Sequence, residues 1–120
     1  MCSSDLHIDV EFMETFYDGN DVFKVKMISM FMEKSPSYMN DINEHLGQQN
    51  WGDLAALAHK FKASIDFVGA RNLKKVVNEI EKNAKDGNVG LITSLVASAN
   101  SIWNEVLIEL QSELLTIKSE

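Results

Sequence analysis

Residues 58–75 read AHKFKASIDFVGARNLKK and combine a helical pattern with one histidine that does not follow it. An α-helix turns by about 100° per residue, so residues that share one face can be identified from their spacing. Five apolar residues of the predicted helix fall within about 60° of Leu54 on a helical wheel and form one core-facing stripe with it: Leu57, Ala58, Phe61, Ile65 and Val68. His59 falls at about 140° on the same wheel. The sequence therefore predicts that His59 is exposed.

Small residues surround His59 on its own face of the predicted helix. Ala55 and Ala56 precede it by four and three positions, and Ala63 follows it by four. An exposed helix face usually carries long polar side chains, so we interpret these alanines as a surface that a second protein can approach closely. The high helix propensity of alanine is the alternative explanation.

His59 and Lys62 together suit the chemistry of a phosphoryl carrier. An imidazole in water is mostly uncharged at neutral pH and keeps a nucleophilic lone pair that can accept a phosphoryl group. Lys62 follows one turn later and can lie beside the resulting dianion. The sequence places no serine, cysteine or general-base carboxylate to complete a hydrolytic triad with His59. We therefore expect the site to hold a phosphoryl group without hydrolysing it.

The whole chain has 120 residues. In its N-terminal half the apolar residues show helical spacing. A short first helix contains Phe12 and Tyr17 and should end near Asp18. A long second segment contains Pro36. It either kinks there, or it ends and a new helix begins with Ser35 as N-cap; we favour one kinked helix.

Three further helices are predicted after a polar turn at residues 47–52. The third runs from about residue 51 to 67 and stops at Gly69, which tolerates a left-handed cap and has a structural role only. The fourth spans roughly Leu73 to Ala84, and the fifth spans roughly Leu95 to Ile117. Because no linker or repeat interrupts the pattern, we expect residues 1–120 to form a single domain, an antiparallel helical bundle with short loops.

The composition excludes several classes of protein. The formal charge is -7, which argues against nucleic-acid binding because phosphate contacts need clustered Lys and Arg. No apolar run approaches the ~18 residues that cross a bilayer, and the N-terminus lacks the pattern of a signal peptide. Cys2 is the only cysteine and cannot pair within the chain. We expect a cytoplasmic protein with no membrane contact.

Basic residues cluster around the histidine. Five bases and the single acid Asp66 lie between His59 and Lys75. We interpret four of these bases as possible docking charges for an acidic partner, with a solvated helix face as an equally good alternative: Lys60, Arg71, Lys74 and Lys75.

The remaining histidines give no sign of a metal site. His7 and His45 lack the i, i+3 or i, i+4 spacing of ligands that would place two of them on one helical face. We therefore predict that both are surface residues and that the protein binds no metal.

The segment resembles the motif of the histidine-containing phosphotransfer (HPt) domain, which reads His-x-Leu-Lys-Gly-Ser and then Gly-Ala-x-x-Leu. The matching residues have the same spacing: His59, Phe61, Lys62, Ala63, Ser64, Gly69, Ala70 and Leu73. The stretches FMEKSP and NWGDLAALAH also look like landmarks of this family, so the resemblance covers nearly the whole chain.

The resemblance implies an all-α fold, an antiparallel up-down four-helix bundle with a short extra N-terminal helix. It implies that His59 is the phosphoacceptor and that Lys62 supports the phosphate. The partners would be a response-regulator receiver domain, whose aspartate exchanges the group, and/or a hybrid sensor histidine kinase. The receiver would bring Mg²⁺ and the catalytic groups, so this protein would be a monomeric carrier and no enzyme, and would bind no cofactor.

Some residues depart from the family pattern or leave its details open. The usual glycine four residues after the histidine is Ala63, and Asp66 adds a negative charge to the histidine's face. Members of the family often hydrogen-bond the second imidazole nitrogen from the following helix, and Asn78 and Glu81 are both candidates. The alternative function is a phosphotransfer-silent adaptor that docks receiver or kinase domains.

Overall fold

The computed structural model describes residues 7–118, and all the regular elements of this range are α-helices. In chain order they are α1 (Val10–Tyr17), α2 (Asp21–Gln48), α3 (Trp51–Asp66), α4 (Arg71–Asp86) and α5 (Val89–Lys118). Each lies where the apolar spacing predicts a helix, so the all-α prediction is confirmed. Cys2 lies outside the described residues.

The long second helix runs without a break through Pro36. Ser35, the alternative N-cap, therefore lies inside α2, where its buried Oγ accepts a hydrogen bond of 2.8 Å from Trp103 Nε1. The start of α2 lies earlier and is capped by Asn20, whose side chain accepts a hydrogen bond from the Phe23 amide.

Gly69 closes the connection between α3 and α4 in the left-handed conformation, with φ of +61°. A side chain would be strained at this φ. A Cβ there would also lie 3.1 Å from the Phe12 ring and 3.3 Å from the Asp9 carbonyl oxygen. The structural role predicted for Gly69 is therefore confirmed, and its reason includes a close contact with the N-terminal segment.

The helices pack in a closed order around one core. Helix α3 contacts α2 and α4, α5 contacts α4 and α2, and α1 contacts α2. The stripe predicted for α3 faces this core: Leu54, Ala58, Phe61, Ile65 and Val68 are all fully buried, and Leu57 is half-buried. Burial of each large apolar side chain contributes about 1.5–3 kcal/mol. The packing of α3 between α2 and α4 fixes which of its residues remain exposed.

Helix α5 is the one described helix that is long and apolar enough to cross a membrane. This finding rests on length and composition alone, and the core helix of a soluble protein meets the same test. Its buried residues belong to the common core: Ile92, Val96, Ala99, Val106 and Leu110.

The segment before α1 is fastened to the body of the protein, which corrects the prediction for His7. Its ring is only 17% exposed and its Nε2 lies 2.8 Å from Glu105 of α5. The Asp9 amide donates to the Gly69 carbonyl oxygen at 2.9 Å. His7 is partly covered because residues 7–9 lie between α5 and the end of α3. His45 is half-buried as well.

Candidate functional site

His59 lies on the outer face of α3 with 71% of its side chain exposed. Its position follows from the helical wheel, since the stripe on Leu54 turns inward and carries His59 away from the core. The predicted exposure of His59 is therefore confirmed.

Glu81 of α4 contacts the imidazole ring. Its Oε2 lies 2.9 Å from His59 Nδ1, and its side chain is only 7% exposed. An ionised carboxylate can only accept hydrogen bonds, so Nδ1 must carry the proton. In the neutral ring this leaves the lone pair on Nε2. Of the two candidates for this contact, the structure therefore selects Glu81, while Asn78 accepts a hydrogen bond of 2.9 Å from Lys62 Nζ.

Three cationic or potentially cationic groups surround the Glu81 carboxylate. Lys85 Nζ lies 2.9 Å from Oε2. Lys62 Nζ lies 2.7 Å from Oε1, the distance of an ion pair, although this contact lacks the angles of a hydrogen bond. Burial by itself raises the pKa of Glu81, but its contacts with Lys62, Lys85 and His59 outweigh burial and lower the pKa to about 2. The carboxylate is therefore ionised at neutral pH. We call these four residues (His59, Lys62, Glu81 and Lys85) the His59 cluster.

Lys62 lies one turn after His59, but it points to α4. Its side chain is 21% exposed and is held between Glu81 and Asn78. A phosphoryl group on His59 would have to attract the ammonium away from this carboxylate. The phosphate-supporting role of Lys62 therefore stays a prediction.

The predicted alanine surface is only partly present. Ala56 and Ala63 are exposed, but Ala55 is 4% exposed and belongs to the core. On the wheel Ala55 falls about 100° from Leu54, on the side of α3 that carries Lys62. Helix α4 covers this side, so the inclusion of Ala55 in the exposed surface was wrong.

The predicted docking charges differ in their availability. Arg71 forms an ion pair of 2.8 Å with Asp9, and Lys74 forms one of 2.8 Å with Asp66. Lys60 and Lys75 are exposed and form no ion pair within residues 7–118. The pairing with Lys74 also offsets the charge of Asp66.

Two kinds of residue at this surface escaped the sequence reasoning. Phe67, just after α3, is 37% exposed, and its ring centroid lies 6.2 Å from that of Phe16, which is 48% exposed. The wheel could have shown this, because Phe67 falls about 220° from Leu54. Lys85 lies just beyond the predicted end of the fourth helix at Ala84, although its i, i+4 spacing from Glu81 is the spacing of a helical ion pair.

No cluster of three or more metal-ligating side chains occurs between residues 7 and 118. The acidic and imidazole groups of the site are Glu81 and His59, and the neighbours of this pair are lysines.

Comparisons with known proteins agree with the resemblance. No curated protein matches the chain. Among solved structures, the chain is similar to histidine-containing phosphotransfer protein B (HptB) from Pseudomonas aeruginosa PAO1, with 21% identity and a TM-score of 0.83 over 92% of this chain and 96% of that one. At this identity the likeness shows the fold alone. The family model of the Hpt domain matches residues 26–119, and the chain therefore belongs to the Hpt domain family.

Proposed function

We propose that His59 is the residue through which this phosphorelay intermediate accepts and donates phosphoryl groups. The observation that carries the proposal is an exposed imidazole whose Nδ1 is held by a buried, ionised carboxylate. That contact assigns the proton to Nδ1 and leaves Nε2 as the nucleophile in the neutral ring.

The transfer exchanges one bond to phosphorus for another. The Nε2 lone pair forms the N–P bond while the O–P bond of a receiver's aspartyl phosphate breaks, and the electrons of that bond return to the aspartate carboxylate. The ring gains positive charge as the N–P bond forms. Glu81 faces this charge through Nδ1–H and stabilises it, and the reverse transfer follows the same path.

The receiver would bring Mg²⁺ and its own carboxylates to neutralise the phosphoryl oxygens. The residues of this chain supply the nucleophile and its orientation. In this proposal the protein is a carrier and no enzyme, and binds no cofactor itself. Its partners in this proposal are a receiver domain and/or a hybrid sensor histidine kinase, with no nucleic acid or membrane involved.

A receiver would dock on the face of α3 that presents His59. The small side chains of Ala56 and Ala63 leave room for a partner beside the ring. The exposed rings of Phe67 and Phe16 extend this face as an apolar surface. Lys60, which forms no ion pair within residues 7–118, lies on the same helix. Such a surface offers aromatic anchors with charges at the rim, which is typical of protein interfaces.

The antiparallel order of the helices is also part of the proposal. We infer that α2–α5 form an antiparallel up-down bundle with α1 as the short extra helix, since the contacts between helices follow chain order and close between α5 and α2. A monomeric, cytoplasmic protein fits a carrier that must meet more than one partner.

The test is phosphoryl transfer from a phosphorylated receiver to the wild type, His59→Gln and His45→Gln. We expect label that is lost in acid but stable in base on the wild type and on His45→Gln. The label transferred to His59→Gln should be at least about a hundredfold lower than that on the wild type, because the amide is not a nucleophile. Label that persists on His59→Gln would contradict the proposal. A wild type that binds the receiver but takes no label would be the silent adaptor instead.

A further inference from the structure

Lys85 shares a single carboxylate oxygen with the imidazole ring. Its Nζ lies 2.9 Å from Glu81 Oε2, the same atom that accepts the hydrogen bond from His59 Nδ1 at 2.9 Å. The side chain of Lys85 is 62% exposed. The ammonium therefore reaches from the solvent to the atom that orients the ring.

This sharing matters because a carboxylate acts on an imidazole in two opposed ways. It orients the neutral ring through Nδ1–H, but it also stabilises the imidazolium, in which Nε2 is protonated and has no lone pair. A cation that contacts the same carboxylate oxygen offsets part of the oxygen's negative charge and holds the oxygen in place. The ring is then oriented with less stabilisation of the protonated, unreactive form.

We propose that Lys85 is a positioning residue for phosphotransfer, which fixes Glu81 Oε2 and offsets its charge so that His59 keeps a free Nε2. The inference rests on the proposed role of His59. Lys62 is bound to the other oxygen, Oε1, so Lys85 is the lysine that competes directly for the ring's own acceptor.

The other charged groups around His59 are accounted for. On α3 they are Lys60, Lys62 and Asp66, and Asp66 is paired with Lys74. On α4 Lys82 lines the same hollow as Glu81 and Lys85. Helix α2 packs on the other side of α3, where its charged residues line one hollow together with Lys60: Glu33, Lys34 and Asp41. Lys82 is exposed and forms no ion pair within the described residues, which makes it the matched control.

The experiment compares Lys85→Met with Lys82→Met, since both remove one positive charge from α4. The first readout is the titration of the His59 ring in the free protein, followed by NMR. We expect its midpoint in Lys85→Met to lie about half a pH unit above that of Lys82→Met, a shift reduced by solvent screening of the exposed lysine. Coincident midpoints would overturn the proposal.

The second readout is the rate of phosphoryl acceptance across pH. Well below the midpoint of the ring titration, Lys85→Met should be about threefold slower than Lys82→Met, because half a pH unit is a factor of about three in the unprotonated fraction. The rates should converge in alkali, and Lys85→Arg should restore the wild-type profile. A rate loss that is equal at every pH, or no loss, would overturn the proposal. The ring titration needs no transfer, so failure of Lys85 is distinguishable from failure of His59 as acceptor, which the His59→Gln variant reports.

Discussion

Two groups of charged residues in this protein each surround one buried charge with partners that can carry the opposite charge. One group joins three helices, and the other holds an exposed imidazole ring. In the Lys24 cluster (Glu14, Lys24 and Glu113), a lysine that is 2% exposed lies 2.6 Å from Glu14 and 2.8 Å from Glu113. Burial alone lowers the pKa of Lys24, but Glu113 and Glu14 outweigh it and raise the pKa above its usual value. Three helices, α1, α2 and α5, are thereby tied together at a charge that solvent does not reach.

The His59 cluster also centres on one buried charge, the carboxylate of Glu81, but one partner of this charge is an exposed imidazole ring. In the Lys24 cluster both partners are carboxylates on other helices, 58% (Glu14) and 15% (Glu113) exposed. His59 is 71% exposed and Lys85 is 62% exposed. A buried charge whose partners are fixed on other helices serves as a tie. A buried charge that pairs with an exposed imidazole sets the orientation of that ring, and in the proposed function it presents the ring for reaction.

The largest effect is expected when the tie is removed. Lys24→Met should lower the free energy of unfolding by about 3 kcal/mol, because it leaves Glu113 nearly buried without its cation. Lys26→Met is the control, since Lys26 is exposed on the same helix and forms no ion pair within residues 7–118. Urea unfolding measures both. If the two variants were equally stable, the Lys24 cluster would not be a tie. Phosphotransfer by folded Lys24→Met should match the wild type.

A smaller effect is expected when acid titrates the His59 cluster. The pKa of Glu81 is about 2 in the folded protein, below that of an unfolded glutamate. The unfolded chain therefore takes up its proton first as the pH falls. The stabilisation is complete above pH ~4.5 and is lost as the pH falls towards ~2, with an amplitude of about 2 kcal/mol after allowance for solvent screening.

The measurement is urea unfolding of the wild type and Glu81→Gln at a series of pH values. The stability advantage of the wild type should shrink across that acid range. Glu79→Gln is the matched control, because Glu79 is on the same helix and forms no ion pair within the described residues. An advantage over Glu81→Gln that stayed constant down to the lowest pH would show that Glu81 is not held ionised by its lysines.

The smallest effect is expected at Lys62, whose predicted phosphate-supporting role requires a change of partner. Lys62→Met should slow phosphoryl acceptance about threefold, since the ammonium must leave Glu81 before it can support the phosphoryl group and gains little by the exchange. Lys82→Met is the control, because Lys82 is exposed and forms no ion pair within the described residues. Equal rates for the two variants would remove Lys62 from the phosphate-supporting role.

The features that the sequence predicted correctly are those that depend on local spacing. The positions of the helices, the core stripe on Leu54 and the exposure of His59 all follow from the 3.6-residue period. The stop at Gly69 follows from its freedom at positive φ. Ala55 and Phe67 show the limit of such reasoning. A wheel gives the angle of a residue, but the width of the buried arc depends on which neighbouring helices cover it.

By itself the sequence determined which residues form helices and that one histidine of α3 faces away from the core, because both follow from periodicity within a single helix. Only the tertiary structure decided that Glu81 rather than Asn78 holds the ring, that Lys62 is bound to that carboxylate and that Lys85 shares its oxygen. These contacts depend on how α4 is rotated and shifted against α3. Packing of the two helices fixes that register, and no spacing within either helix contains it.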